Sequence, residues 1–507
     1  MSLKRNILAN YVSQIYVTLI GIIMVPVYIR YMGAEAYGLV GFFAMLQAWF
    51  ALLDIGLTPT VARETARFHG GASTALNYRR LVRAMEGVFL AVALVGGAVL
   101  LASSGYIAHQ WLQASMLPHA EVQAALQLMA IIIAMRWICG LYRGIISGAE
   151  KLVWLSWFNS LIATVRFVGV LPLLMLVSGM PTLFFGFQLA IAVVELLGLM
   201  VYANRSLPVI PQNTKPGWDW KPLQPVLKFS LTIAFTSSVW VLVTQTDKLI
   251  LSKILPLAQY GYFTLAIVVA SAVTLINGPV SAAILPRMSK LEAEGDHAGL
   301  IHIYRSATQL VAIFAASASA TVTFFAESLL WGWTGDRTLA NHSAQILILY
   351  AIGNGILAVA AFPYYLQYAK GDLRLHLMGN AIFALLLIPT ITWAATHFGA
   401  VGAGYVWLGL NLLSFVVWLP FVHRKFEPGL NLKWYFEDVT IIYLITFIGG
   451  FCLALLLPHQ NSRLGEIGMT MGFGLAMLLL AAGSSTMARA AFKKAGWSHP
   501  DLHRGNE

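Results

Sequence analysis

Residues 122–143, VQAALQLMAIIIAMRWICGLYR, decide the class of fold. The run is long enough to cross a hydrocarbon core, which takes roughly 20 apolar residues as a helix. It nevertheless carries Arg136 in its interior and ends on Arg143. A cation at the bilayer centre costs at least ~2.5–3.5 kcal/mol on insertion scales, so it normally faces a bundle interior or a wet cavity. Arg166 and Lys248 lie inside comparable apolar runs. These features predict a polytopic membrane protein with a cationic internal compartment, and hence a carrier of something anionic.

Composition agrees. The 507 residues are 59% hydrophobic and 10% charged, with a mean hydropathy of +0.74, outside the balance of soluble domains. The chain has room for about fourteen spans and little else. No large water-soluble segment is present of the kind most membrane enzymes need for their chemistry. Cys139 and Cys452 both fall in apolar runs, so small core hydrophobes are the expectation for both. The N-terminal run is too long for a cleavable signal and lacks a small-residue cleavage site.

Apolar runs and their breaks place spans near 7–30, 37–62, 82–103, 122–143, 153–177, 182–203, 229–253, 259–284, 302–326, 342–368, 375–396, 400–422, 437–457 and 465–485. Between the sixth and seventh runs a linker, NRSLPVIPQNTKPGWDWKP, carries Pro208, Pro211 and Pro216. With both termini cytoplasmic, 25 of the 32 Lys and Arg fall on cytoplasmic segments. Arg30, Lys253, Arg337 and Arg463 lie at the outer face, and three cations are mid-span. This asymmetry is the positive-inside rule, so the net charge of +11 is a topology signal and no sign of nucleic-acid binding.

An internal repeat is visible. Tyr37-Gly38 opens the second span and Tyr260-Gly261 opens the eighth, 223 residues later. Tyr142 and Gly148 recur with the same offset as Tyr365 and Gly371. Six spans per copy is even, so the copies run parallel about an axis along the membrane normal. The expected fold is therefore all-α and polytopic: two six-helix lobes related by a pseudo-two-fold, residues 1–223 and 224–436. Two additional spans and a cytoplasmic tail, 437–507, complete it.

Arg136 and Arg143 are seven apart and share one helix face. Arg166 sits about 14 residues, or ~20 Å at 1.5 Å per residue, above its helix's cytoplasmic end. Guanidinium suits a phosphate or carboxylate ligand, because it stays ionised and grips bidentately. The alternative pairs Arg166 with Glu195 as a structural clamp and lets Arg143 snorkel. Asp247 and Lys248 are adjacent and point roughly 100° apart on a helix, so self-neutralisation is not expected. Asp54, close to Gly56 and Pro59, is either a gating or proton-coupling carboxylate beside a kink or a packing contact for Arg63. Pro26, Pro59, Pro172, Pro279, Pro363 and Pro389 are candidate bends, and Gly148 and Gly371 candidate turns. No glycine-rich phosphate loop, paired catalytic carboxylates or metal-ligand cluster stands out, so neither metal nor cofactor is expected.

Three stretches carry a resemblance: VPVYIRYMGAEAYGLVGFF, LLDIGL with Arg63 just beyond it, and QTDKLILSKILPLAQYGYF. The chain resembles, over its whole length, the polysaccharide-transporter branch of the multidrug/oligosaccharidyl-lipid/polysaccharide flippase superfamily, and within it the O-antigen flippases. The resemblance implies a bacterial inner-membrane protein, not an enzyme. It would move undecaprenyl-pyrophosphate-linked oligosaccharides from inner to outer leaflet by alternating access through a cationic cavity. A proton or sodium gradient as energy source and polysaccharide polymerase machinery as a partner are further expectations. Matched family positions are Tyr37, Gly38, Asp54, Arg63, Asp247, Lys248, Tyr260 and Gly261. Arg136, Arg143, Arg166 and Glu195 rest on charge and depth alone. The family's Leu-Gly before Tyr-Gly is Met32-Gly33 in the first copy and Leu257-Ala258 in the second.

Rival functions are a cation-coupled multidrug exporter of the same superfamily, a membrane glycosyltransferase or ligase, and a proton-pumping respiratory subunit. The exporter needs acids and aromatics for cationic drugs, and the second rival a long outer loop with acidic metal ligands. The pump needs Lys, Glu and His chained along the midplane.

Overall fold

The computed structural model describes residues 3–54, 56–208, 223–457, 462–487 and 489. Pro211 and Pro216 of the linker and the tail beyond residue 489 lie outside the described residues. Among the described residues the regular structure is helical, with one isolated bridge between Gln113 and Pro256. Helices satisfy every backbone group within the segment, which is what a membrane span requires. Among the described residues, eleven helical stretches are long and apolar enough to cross a bilayer. Two of them, Leu8–Asp54 and Arg374–Phe426, run for 47 and 53 residues, each long enough for two crossings. Each is broken at a glycine with positive φ, Gly33 (84°) and Gly399 (60°), a backbone region that L side chains avoid. These glycines part span 7–30 from 37–62 and span 375–396 from 400–422.

The chain forms two compact units, Met1–Leu265 and Ala266–Glu507. The first contains α1 (Leu3–Phe50), α2 (Leu57–His69), α3 (Ala75–Tyr106), α4 (His119–Gly148), α5 (Leu152–Val168), α6 (Leu171–Leu176), α7 (Pro181–Ser206) and α8 (Leu223–Ile254). It closes on the first half of α9 (Leu257–Ser271). Helix α4 is its core and packs against α2, α3 and α7. Ile132, Leu141 and Ile146 are fully buried there. Small residues let α2 approach the α4 backbone: a methyl group at Gly144 would lie 2.9 Å from Thr58 O, and one at Gly148 2.2 Å from Ala62 O. Gly148, the last residue of α4, is thus a packing residue at the helix end, whereas Gly371 (φ 72°) is a turn residue, as expected.

The expected second span, 37–62, is interrupted. After α1 the chain makes a 3-10 turn, Ala51–Asp54, and Gly56 (φ 70°) starts α2, which continues to His69. Pro59, Pro172, Pro279 and Pro363 occupy first turns of helices, where the missing N–H leaves no bond unmade. Only Pro26 and Pro389 of the six candidate bends lie inside a helix.

The two Tyr-Gly pairs meet. A methyl group at Gly38 would lie 2.3 Å from Leu257 O, and one at Gly261 2.4 Å from Ala34 O. Gly41 stands equally close to Thr264. Ala34 and Leu257, Gly38 and Gly261, and Gly41 and Thr264 are each 223 residues apart, the offset of the sequence repeat. The contact is therefore reciprocal, as a two-fold relation between copies demands. The loop after α3 fastens this crossing. Gln113 O accepts from Leu257 N (2.9 Å), and Trp111 Nε1 donates to Ser252 Oγ (3.0 Å). The Glu35 carboxylate accepts from the backbone N–H groups of Ser115 and Met116.

The second unit comprises the rest of α9, α10 (Asn277–Glu294), α11 (His297–Thr334), α12 (Arg337–Ala360), α13 (Phe362–Ala369), α14 (Arg374–Leu413), α15 (Leu419–Phe426), α16 (Leu430–Lys433), α17 (Ile441–Leu456) and α18 (Arg463–Ser484). Helix α11 is central and packs against α12, α17 and α18. Its Ala315, Ala316, Ser319 and Ala320 are fully buried, small side chains that permit close packing. Phe325, Phe473 and Met477 form an apolar cluster between α11 and α18. Polar locks hold the C-terminal helices: Arg305 grips Asp438 with two hydrogen bonds (2.7 and 3.0 Å), and Gln309 donates to the same carboxylate (2.6 Å).

A cation-rich pocket in the first unit

Helices α4 and α7 run the same way in matched register. Arg136 Nη2 donates to Gln188 Oε1 (3.2 Å), and Arg143 Nη2 donates to Glu195 Oε1, both pairs 52 residues apart. Arg136 and Arg143 are seven apart, as are Gln188 and Glu195, so both pairs fall on facing stripes. Glu195 Oε2 also lies 3.9 Å from Arg136 Nε. Gln188 in turn donates to Arg166 O (3.2 Å), tying the end of α5 to α7. The Arg136 guanidinium lies 5.5 Å from the Phe43 ring centroid, and that of Arg166 4.6 Å from Phe167.

A cavity of about 500 Å³ opens beside this ladder, with Arg143, Arg166 and Glu195 in its wall. The Arg143 side chain is 39% exposed, Arg136 behind it 15% and Glu195 3%. The Arg166–Glu195 clamp, the alternative to a ligand-facing role, does not form. Glu195 is taken by the two arginines of α4, and Arg166 makes no ion pair among the described residues. Two guanidinium groups thus share one carboxylate and a third, Arg166, stands beside them without an ion pair among the described residues. Arg136 Nε, Arg166 Nε and Glu195 Oε2 are buried without a hydrogen-bond partner among the described residues.

The other candidates lie apart from this wall. Lys248 curls back one turn to donate to Thr244 O (2.5 Å) and to Asp247 Oδ1 (3.3 Å). The adjacent pair therefore does neutralise itself, because the flexible lysine stem offsets the divergence of the two Cβ directions. Asp54 Oδ1 accepts from Thr58 N (3.1 Å) and Thr58 Oγ1 (2.8 Å), holding the turn into α2. Arg63 is half exposed on α2 and approaches Glu64 at 4.0 Å. Gln188 and Phe43 were not among the expected residues. Gln188 had a signal in its seven-residue spacing from Glu195, whereas Phe43 had none.

Membrane-length helices around a cation-rich pocket define a multi-pass membrane transporter, and solved structures share the fold. The lipid II flippase MurJ in an inward closed conformation superposes with a TM-score of 0.74 at 14% identity, over 96% of this chain and 99% of that one. An inward-facing multidrug resistance MATE family transporter of the MOP superfamily gives 0.66 at 12% identity, over 80% of this chain and 95% of that one. The chain belongs to the polysaccharide biosynthesis protein family, whose profile matches residues 3–292. It thereby falls in the polysaccharide flippase branch of that superfamily. A Shigella flexneri protein named for O-antigen transport is 21% identical over 413 residues, covering 80% of this chain and 94% of the relative.

Proposed function

We propose that this protein is a flippase for undecaprenyl-pyrophosphate-linked oligosaccharide repeat units, working by alternating access in the bacterial inner membrane. In this reading both termini are cytoplasmic and the glycan leaves the inner leaflet for the outer. The observation that carries it is the charge of the pocket wall: Arg143 and Arg166 stand there with the one carboxylate of Glu195, and Arg136 lies behind them on that same carboxylate. A pyrophosphate diester is doubly negative, and a buried phosphate charge is tolerable only where cations and hydrogen bonds replace its water. The polyprenyl tail can stay in lipid while the headgroup crosses. The lobes 1–223 and 224–436 are the proposed moving parts. A proton or sodium gradient is the proposed drive, with Glu195 the acid in the pocket wall.

A cationic drug, the substrate of the rival exporter reading, would meet repulsion at this wall. The test is complementation of a cell lacking its own O-antigen flippase. The Arg136→Ala/Arg166→Ala protein should reach the membrane in normal amount yet restore less than a tenth of the surface polysaccharide. Full restoration would overturn the reading.

A further inference from the structure

The pocket has a second, uncharged wall. Asn10, Ser13, Gln14, Val17 and Thr18 of α1 all line it. Their spacing of i, i+3, i+4, i+7 and i+8 is one stripe of an α-helix. Four polar side chains on one stripe of a membrane span are costly unless they face water, protein or a ligand. Two of them are already used: Ser13 Oγ donates to Ser156 O (2.9 Å), and Thr18 Oγ1 to Gln14 O (2.9 Å). The side-chain amides of Asn10 and Gln14 form no hydrogen bond among the described residues. Asn159 on α5 also lines the pocket, and its Oδ1 has no hydrogen-bond partner among the described residues. Asn159 is seven residues before Arg166, so the amide and the guanidinium lie on one face of α5.

We infer that these three amides form a carbohydrate subsite, which takes the sugar attached directly to the phosphate held by Arg143 and Arg166. The inference rests on the flippase reading above and assigns the chemical class of the group beside the anion. A primary amide offers two donors and a two-lone-pair acceptor, the combination that grips adjacent sugar hydroxyls or an acetamido group. Val17 and Ile162 supply apolar surface for the C–H face of a pyranose. The volume, about 500 Å³, falls in the roughly 300–1,000 Å³ range of sites that enclose small molecules.

The test uses the full-length protein in nanodiscs and titrates inorganic phosphate, glucose 1-phosphate and N-acetylglucosamine 1-phosphate. The unmodified protein should bind at least one sugar phosphate about tenfold tighter than phosphate, the worth of one or two hydrogen bonds. Asn10→Ala/Gln14→Ala/Asn159→Ala should abolish that preference and leave phosphate affinity within about twofold of the parent's. Arg143→Ala/Arg166→Ala should weaken all three probes. Absence of a preference in the parent, or its survival in the triple variant, overturns the subsite. Joint loss of phosphate binding and sugar preference in both the triple variant and Asn159→Ala alone would make the amides scaffold, and overturns it too. Undiminished phosphate binding by the arginine variant would instead strike the charge argument of the flippase reading and leave the amide result separately legible.

Discussion

Glu195 is the residue on which the pocket turns. Among the described residues it is the single carboxylate paired with Arg136 and Arg143, and one of its oxygens accepts no hydrogen bond there. Removing one partner of a buried ion pair leaves the other charge uncompensated, at a cost of several kcal/mol. Arg143 is partly exposed, which screens its share, so Glu195→Gln should destabilise by about 2 kcal/mol. The expected readout is a thermal midpoint a few degrees lower, and a larger upward shift on adding pyrophosphate than the parent shows. An unchanged midpoint with no added ligand effect would mean that Glu195 does not hold the arginines in balance. The wild-type carboxylate, on this account, stands in for the substrate's phosphates when the pocket is empty.

At the scale of elements, two contacts are separable from the pocket. The reciprocal crossing of α1 with α9 leaves no room for a side chain, since the groups facing Gly38 and Gly261 are backbone carbonyls that cannot swing aside. Gly38→Ala and Gly261→Ala should each cost about 1–3 kcal/mol, as overpacking does. Because they report on one contact, the double variant should fall short of the sum. Full additivity in thermal melts would argue that the two glycines act independently. In the second unit, Asp438 accepts from both Arg305 and Gln309 and is fully buried. Asp438→Ala should therefore cost about 3 kcal/mol. Pyrophosphate affinity should be unchanged, because this lock lies on α11 and its C-terminal neighbours and not in the pocket. A change in affinity at equal stability would contradict that separation.

Across the whole molecule, hydropathy made position along the membrane normal legible but not rotation about each helix axis. Helical spans followed from apolar runs of about 20 residues because lipid makes the backbone satisfy its hydrogen bonds internally, and a continuous run of that length does so as a helix. The repeat offset, read from two Tyr-Gly pairs, reappears as a physical contact between Ala34, Gly38, Leu257 and Gly261. Partner choice was not legible. Glu195 could have met Arg166, but the shared register of α4 and α7 gives it to Arg143 and Arg136. Lys248 could have diverged from Asp247, but its stem bends back to Thr244. The polar stripe from Asn10 to Thr18 was in plain view within an apolar span, and its meaning required the facing Asn159. The break after Asp54 was masked by apolar neighbours that a sliding window averages together.

Reconstituted transport tests the central claim most directly. Proteoliposomes containing the purified protein would receive undecaprenyl-pyrophosphate-linked sugar labelled in one leaflet, and its arrival in the other would be timed. The account predicts transfer well above protein-free vesicles, with the Arg136→Ala/Arg166→Ala protein, its fold verified by melting, at least about tenfold slower. Equal rates for the two proteins would contradict it.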